Sequence, residues 1–167
     1  GLISNSAVVT ATEPDTIPAN NIATATTTVN IPNSTFTVTN TADSGPGSLR
    51  AAMLAANAST GTIDTIVFDI PDAGPHTIAL ATFLPTITDP LYLDGTTQPG
   101  YAGTPLIELN GTSAGATANG LFIGAGGSGS TIRGLAINRF GTGGAVGAPG
   151  GAGIVIQPNA VKALRIG

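Results

Sequence analysis

Apolar and polar positions alternate with two different periods along the chain. Thr35-Phe36-Thr37-Val38-Thr39-Asn40 puts Phe36 and Val38 on one face, the two-residue period of a strand. Leu49, Ala52, Met53 and Ala56 then recur at i, i+3, i+4 and i+7, one apolar stripe on a helix of two to three turns. Ser44-Gly45-Pro46-Gly47 is a turn before that helix, and Ser48 is its N-cap, because the hydroxyl can accept from a first-turn N–H. Asn57 and Gly61 supply stop signals. Beyond Gly61 the pattern returns to short strand-like runs, at residues 66–70, 77–80, 91–93, 106–109, 121–123, 132–137, 154–156 and 164–166. Upstream, residues 7–12 and 22–29 are Thr/Val/Ala runs separated by turn formers from Glu13 to Asn21, which predicts a long-looped hairpin.

Several of the later runs share one form, Leu or Ile, any residue, Leu or Ile, then Asn, Asp or Gly. Leu91-Tyr92-Leu93-Asp94-Gly95, Ile107-Glu108-Leu109-Asn110-Gly111 and Leu135-Ala136-Ile137-Asn138 are examples. Asp94-Gly95 and Asn110-Gly111 are hairpin dipeptides, yet each precedes a loop rather than a partner strand. Repeated strands without hairpin turns suit parallel stacking of like on like, and the helix would cover the open apolar end of such a stack. The expected core comprises Phe36, Val38, Leu49, Met53, Ile66, Phe68, Leu93, Leu109, Ile123, Ile132, Leu135, Ile137, Ile154 and Ile166.

Two resemblances extend this reading. Residues 5–15 and 18–26, Asn5-Ser6-Ala7-Val8-Val9-Thr10 and onward, resemble the C-terminal hairpin of the immunoglobulin-like conserved-repeat modules of bacterial surface proteins. Thr37-Val38-Thr39-Asn40-Thr41-Ala42-Asp43-Ser44-Gly45-Pro46-Gly47-Ser48-Leu49-Arg50 resembles the N-terminal cap of secreted bacterial right-handed parallel β-helix proteins. Leu84-Pro85-Thr86-Ile87-Thr88, Leu93-Asp94-Gly95-Thr96-Thr97-Gln98-Pro99-Gly100-Tyr101 and Ile132-Arg133-Gly134-Leu135 continue that likeness over residues 35–167. The resemblance implies an all-β, pectate-lyase-like right-handed parallel β-helix with a strand-plus-amphipathic-helix cap. It also implies an extracellular or bacterial cell-surface location. The expected organisation is an incomplete Ig-like tail over 1–31, a cap over 33–62 and the first rungs over 63–167. The chain opens on Gly1-Leu2-Ile3 and stops inside a strand-like pattern, as expected for a fragment of something longer.

Composition narrows the chemistry. Charged residues are only 8% of the 167, with five Lys/Arg against nine Asp/Glu, 25 threonines and no cysteine. That excludes disulfides and thiolate metal sites and disfavours nucleic acid as a partner. No apolar run approaches the about 20 residues of a membrane helix. No cofactor is expected. Calcium could be imagined at Asp15, Asn20 and Asn21, but three such donors fall short of its roughly six to eight oxygens, and turn capping accounts for them.

An acid/base site would need paired carboxylates about 5–10 Å apart. Asp94 and Glu108 could lie on neighbouring rungs, although Asp94 before Gly95 also suits a turn that binds its own backbone. Arg133 and Arg139 are six apart and would share a face of one strand, a basic cluster for an acidic glycan. These four are the candidate ligand-binding residues, and none is assigned a catalytic role. The lone His76 and the glycine-rich stretches 124–129 and 141–153 suggest no site; the stretches read as flexible connections. The expected function is a non-catalytic structural or adhesion-type surface protein contacting polysaccharide or cell-surface glycan. The alternative is the N-terminal part of a polysaccharide lyase or glycoside hydrolase with its active site in later rungs.

Overall fold

Ser48 starts the α-helix as its sequence predicts. Its hydroxyl accepts from the Ala51 N–H at 3.2 Å, and helix α1 runs over Leu49–Ala58. The stripe Leu49, Ala52, Met53 and Ala56 is the buried face. The computed structural model describes residues 2–10, 12–28, 33–141, 151–160 and 165–166. The chain divides into two compact units, Gly1–Pro32 and Asn33–Gly167.

The first unit is a hairpin of β1 (Leu2–Val8) and β2 (Ile22–Thr28), paired antiparallel with Val8 opposite Ile22. β1 lies upstream of the predicted run at 7–12. The Val9 N–H donates to the Asn21 carbonyl, so the ladder extends back from Ile22 toward residue 2. Asp15 accepts from the Ile17 N–H at 2.8 Å and so caps its own turn. Ile3, Val8, Val9, Ile17 and Ile22 are exposed.

In the second unit successive strands are dealt out to three parallel sheets. β3 (Thr35–Val38), β4 (Asp64–Phe68), β6 (Leu91–Asp94), β9 (Thr131–Arg133) and β12 (Arg165–Ile166) form one, with β3 at its edge. β5 (His76–Ala79), β7 (Ile107–Asn110) and β10 (Leu135–Asn138) form the second, and β8 (Leu121–Ile123) with β11 (Ile154–Ile156) the third. Ile87 joins the third sheet by a single bridge to Ile123. The register stacks Phe36, Ile66, Leu93 and Ile132 in one rank, and Ile78 beside Leu109 in another. With one face buried, a slip of one residue would turn every such side chain outward. α1 packs against β3 and β4 and adds its stripe to the same core.

Side chains tie irregular segments to this frame. Gln98, almost wholly buried, clamps the Ile70 backbone, accepting from its N–H at 3.0 Å and donating to its carbonyl at 2.8 Å. Burying that amide is tolerated because its polar atoms are satisfied. The Gln98 Nε2 also lies 3.2 Å from the His76 Nε2.

The structure corrects the expected fold class. It is not the all-β right-handed parallel β-helix of the sequence reading. The sheets are mixed, antiparallel in the hairpin and parallel elsewhere, an α-helix supplies part of the core, and no β-helix is shown among the described residues. The core forecast fares better. Val38, Leu49, Met53, Ile66, Phe68, Leu93, Leu109, Ile123 and Ile132 are buried, while Phe36, Leu135, Ile137 and Ile154 are partly buried against them. The Ile166 side chain and residues 142–150 of the second glycine-rich stretch lie outside the described residues. The first such stretch is a tight 3-10 turn, Ala125–Gly127, rather than a loose connection. A Cβ at Gly126 would sit 2.1 Å from the Thr88 carbonyl oxygen, so only glycine lets the two backbones meet.

The expected strand 132–137 is broken in two at Gly134. Its φ of +68 turns the chain between two sheets, and a Cβ there would stand 2.6 Å from the Thr96 nitrogen. Gly45 has a similar φ of +91 but open space around it. Gly45→Ala therefore costs about 1 kcal/mol, from left-handed backbone alone, and Gly134→Ala costs clearly more. Urea unfolding of the two variants measures the difference, and equal midpoints would mean that this corner relaxes freely.

Candidate functional site

Asp94 and Arg133 are 39 residues apart in sequence but direct partners across β6 and β9. The Arg133 Nη2 donates to the Asp94 Oδ2 at 2.5 Å. The other carboxylate oxygen, Oδ1, accepts from the Thr96 N–H at 3.0 Å and the Thr96 hydroxyl at 2.6 Å. Asp94 thus caps the 3-10 turn Gly95–Thr97 as the Asp-Gly dipeptide suggested, while also holding an arginine that sequence spacing could not assign to it. Its side chain is 10% exposed and that of Arg133 52%. Burial acts to raise the Asp94 pKa. The hydrogen bonds from Arg133 and Thr96, with the Arg133 charge, outweigh it and hold the group below its ordinary value. The same hydrogen bond from Asp94, then its charge, pushes the Arg133 guanidinium up.

Glu108 and Arg139 form a second pair in a different sheet. Glu108, on β7, accepts from the Thr77 hydroxyl at 2.6 Å, and the Arg139 Nη1 lies 3.8 Å from its Oε1. The Thr77 hydroxyl first, then the Asn138 side chain, and then the Arg139 charge lower the Glu108 pKa against a small opposing effect of burial. Arg133 and Arg139 do not share a face. Gly134 turns the chain between them, and Arg139 itself has a left-handed φ of +58 just past the end of β10. Asp94 and Glu108 likewise belong to separate sheets rather than to one carboxylate pair.

These shifts suit neither a carboxylic general acid nor an arginine base. A general acid needs a carboxyl pKa raised toward neutrality, and an arginine base needs a lowered one. Here both carboxyls are lowered and Arg133 is raised. Both Asp94 oxygens are engaged, so the carboxylate is also poorly placed to attack a substrate. Arg139 lines a shallow hollow of about 570 Å³ with Gly111, Thr112, Ser113 and Ala116, and its side chain is 63% exposed.

A second pair of carboxylates, outside the candidate residues, lies elsewhere in the second unit. Asp64 is fully buried at the start of β4, and its Oδ1 accepts from the Ser34 N–H at 2.8 Å and the Thr62 hydroxyl at 3.3 Å. Asp89 feels its charge. The Oδ2 of each is buried without a hydrogen-bond partner. Burial first and the Asp64 charge last raise the Asp89 pKa, against a hydrogen bond from the Gly61 backbone. Among the described residues no group of three or more His, Cys, Asp or Glu could hold a metal, and no helix is long and apolar enough to cross a membrane.

Two carboxyls shifted in opposite directions give opposite pH signatures. The Asp94 contribution to stability is present above its ordinary value of 3.8 and is lost as pH falls through its lower folded value. Asp89, raised from 3.8, favours the folded state most below that value and loses this as pH rises through its folded pKa. Asp94→Asn should therefore flatten the acid limb of the stability profile. Asp89→Asn should be at least as stable as the parent at pH 7, with that advantage vanishing in acid. Asp94→Ala also removes the cap and costs about 1 kcal/mol. Denaturant unfolding from pH 2 to 8 checks all three, and an Asp89→Asn chain weakened most at neutral pH would contradict the assignment. No protein-family model, curated protein or solved structure matches this chain.

Proposed function

We propose that the chain is a non-catalytic structural or adhesion-type protein of the extracellular space or bacterial cell surface, and that it contacts glycans. The observation that carries this reading is the pairing of the polar candidates. Asp94 with Arg133 and Glu108 with Arg139 pair with one another, and their pKa values move away from those of a carboxylic general acid or an arginine base. The outward ranks add support. Thr35, Thr65, Tyr92 and Thr131 follow one another across the parallel register, and Thr37, Val67, Asp94 and Arg133 form the next rank. Parallel strands repeat at about 4.8 Å, so the Thr35, Thr65 and Thr131 hydroxyls and the Tyr92 ring follow one another along a face open to an extended polymer. The likeness of residues 5–26 and 37–50 to secreted bacterial surface proteins agrees with this location.

Incubation with neutral polysaccharides and with polygalacturonate tests the reading. Insoluble polysaccharide should retain the protein, while neither new reducing ends nor unsaturated uronide accumulate. Sustained depolymerisation that Asp94→Ala or Arg133→Ala abolishes would overturn it.

A further inference from the structure

We infer that a groove walled by Phe83 and Phe122 is a subsite for one neutral pyranose residue, stacked on the phenyl rings and hydrogen-bonded by Asn119 and Thr117. This rests on the glycan-contacting reading above and names where that contact is made. The groove has a volume of about 410 Å³ and is lined by Phe83, Leu84, Thr86, Thr117, Asn119 and Phe122. That volume falls within the roughly 300–1,000 Å³ of ordinary small-molecule sites.

Phe83 is the first reason to read the groove as built for a ligand. Its side chain is 60% exposed, although burying a phenyl ring is worth about 2 kcal/mol. The ring is exposed on a backbone held at several points. Arg50 on α1 donates from Nη1 to the Phe83 carbonyl at 2.6 Å and from Nη2 to the Thr82 carbonyl at 3.1 Å. The same guanidinium is oriented by Asp43, which it meets at 2.7 Å and which also accepts from the Ala81 N–H at 3.1 Å. Three residues on, Asn57 of α1 donates to the Thr86 carbonyl at 2.7 Å and accepts from the Thr88 N–H at 2.9 Å. Holding the backbone that carries an exposed ring before a partner arrives lowers the ordering cost of binding.

The opposite wall selects the ligand class. Phe122 projects half-buried from β8, whose neighbours Leu121 and Ile123 turn into the core. The Asn119 Oδ1 accepts from the Ala152 N–H at 3.1 Å, which orients the amide. Among the described residues its NH₂ group donates to no protein acceptor, and in this proposal it meets a ligand oxygen. A purely apolar occupant would bury that amide and the Thr117 hydroxyl without partners, at a cost of about 1–3 kcal/mol each. Among the described residues no lining side chain is charged, so none of them would offset the desolvation of a uronate or a phosphate. A neutral pyranose meets both demands, with an apolar C–H face for the rings and a rim of hydroxyls for the amide and the threonines.

The test uses the full chain and five probes: methyl pyranosides of glucose, galactose, mannose and N-acetylglucosamine, and oligogalacturonate as the charged comparator. Saturation-transfer and amide chemical-shift titrations are run on the parent, Phe83→Ala, Asn119→Ala and Ile63→Ala, the last an exposed apolar residue outside the groove. Phe83 is mostly exposed, so its replacement should leave the thermal midpoint close to the parent value. We expect weak binding of at least one neutral glycoside, reduced about tenfold by Phe83→Ala and by Asn119→Ala and unchanged by Ile63→Ala. Glycan binding that both groove variants leave intact would overturn the groove and spare the glycan reading. Binding of none of the probes would overturn the subsite, while retention on insoluble polysaccharide decides the glycan reading separately. Groove-dependent binding of oligogalacturonate alone would overturn the neutral class. Self-association in sedimentation that Phe83→Ala abolishes would assign the groove to a second copy and overturn the subsite.

Discussion

The parallel register of β3, β4, β6 and β9 is the constraint on which the rest of the second unit depends. It puts Phe36, Ile66, Leu93 and Ile132 in a single inward rank and, by the same two-residue alternation, Thr37, Val67, Asp94 and Arg133 in a single outward one. Hydrophobic burial on the inner face therefore decides which polar side chains meet on the outer face. The Asp94–Arg133 pair is a consequence of core packing, since slipping either strand by one residue would bury its charge and expose its leucine or isoleucine.

Parallel pairing needs long connections, and these carry few regular hydrogen bonds of their own. The chain handles this with a handful of polar side chains rather than with a dense charged surface. Gln98 extends β4 by clamping Ile70, Arg50 and Asn57 hold residues 82–88 against α1, and Asp94 closes the turn after β6. This is where the scarce charges go. Asp43, Arg50, Asp94 and Arg133 all serve architecture, and their partners are satisfied inside the fold.

Local chemistry was legible wherever cause and effect lie within a few residues. The bounds of α1 follow from Ser48 and the Leu49, Ala52, Met53, Ala56 stripe, because helix capping and amphipathicity act over one to three turns. The Asp94-Gly95 turn and most of the core positions were readable for the same reason. The fold class was not. Repeated short strands implied an all-β stack, but strand pairing is a long-range choice. The pattern indicated a hairpin, parallel strands and a helix with core residues, but not how the parallel strands divide among several sheets.

Sequence alone determined the elements, the inward faces and the absence of cysteine chemistry, all of them local or compositional properties. Tertiary structure alone decided who meets whom. It split residues 131–138 at Gly134 because that backbone presses on Thr96, and so sent Arg133 and Arg139 to different carboxylates. It left one oxygen of Asp64 and one of Asp89 buried without a hydrogen-bond partner, and it exposed Phe83 on a backbone pinned from 33 residues away. Each of these outcomes is set by the register and by close approach of distant backbones, which no short window of sequence contains.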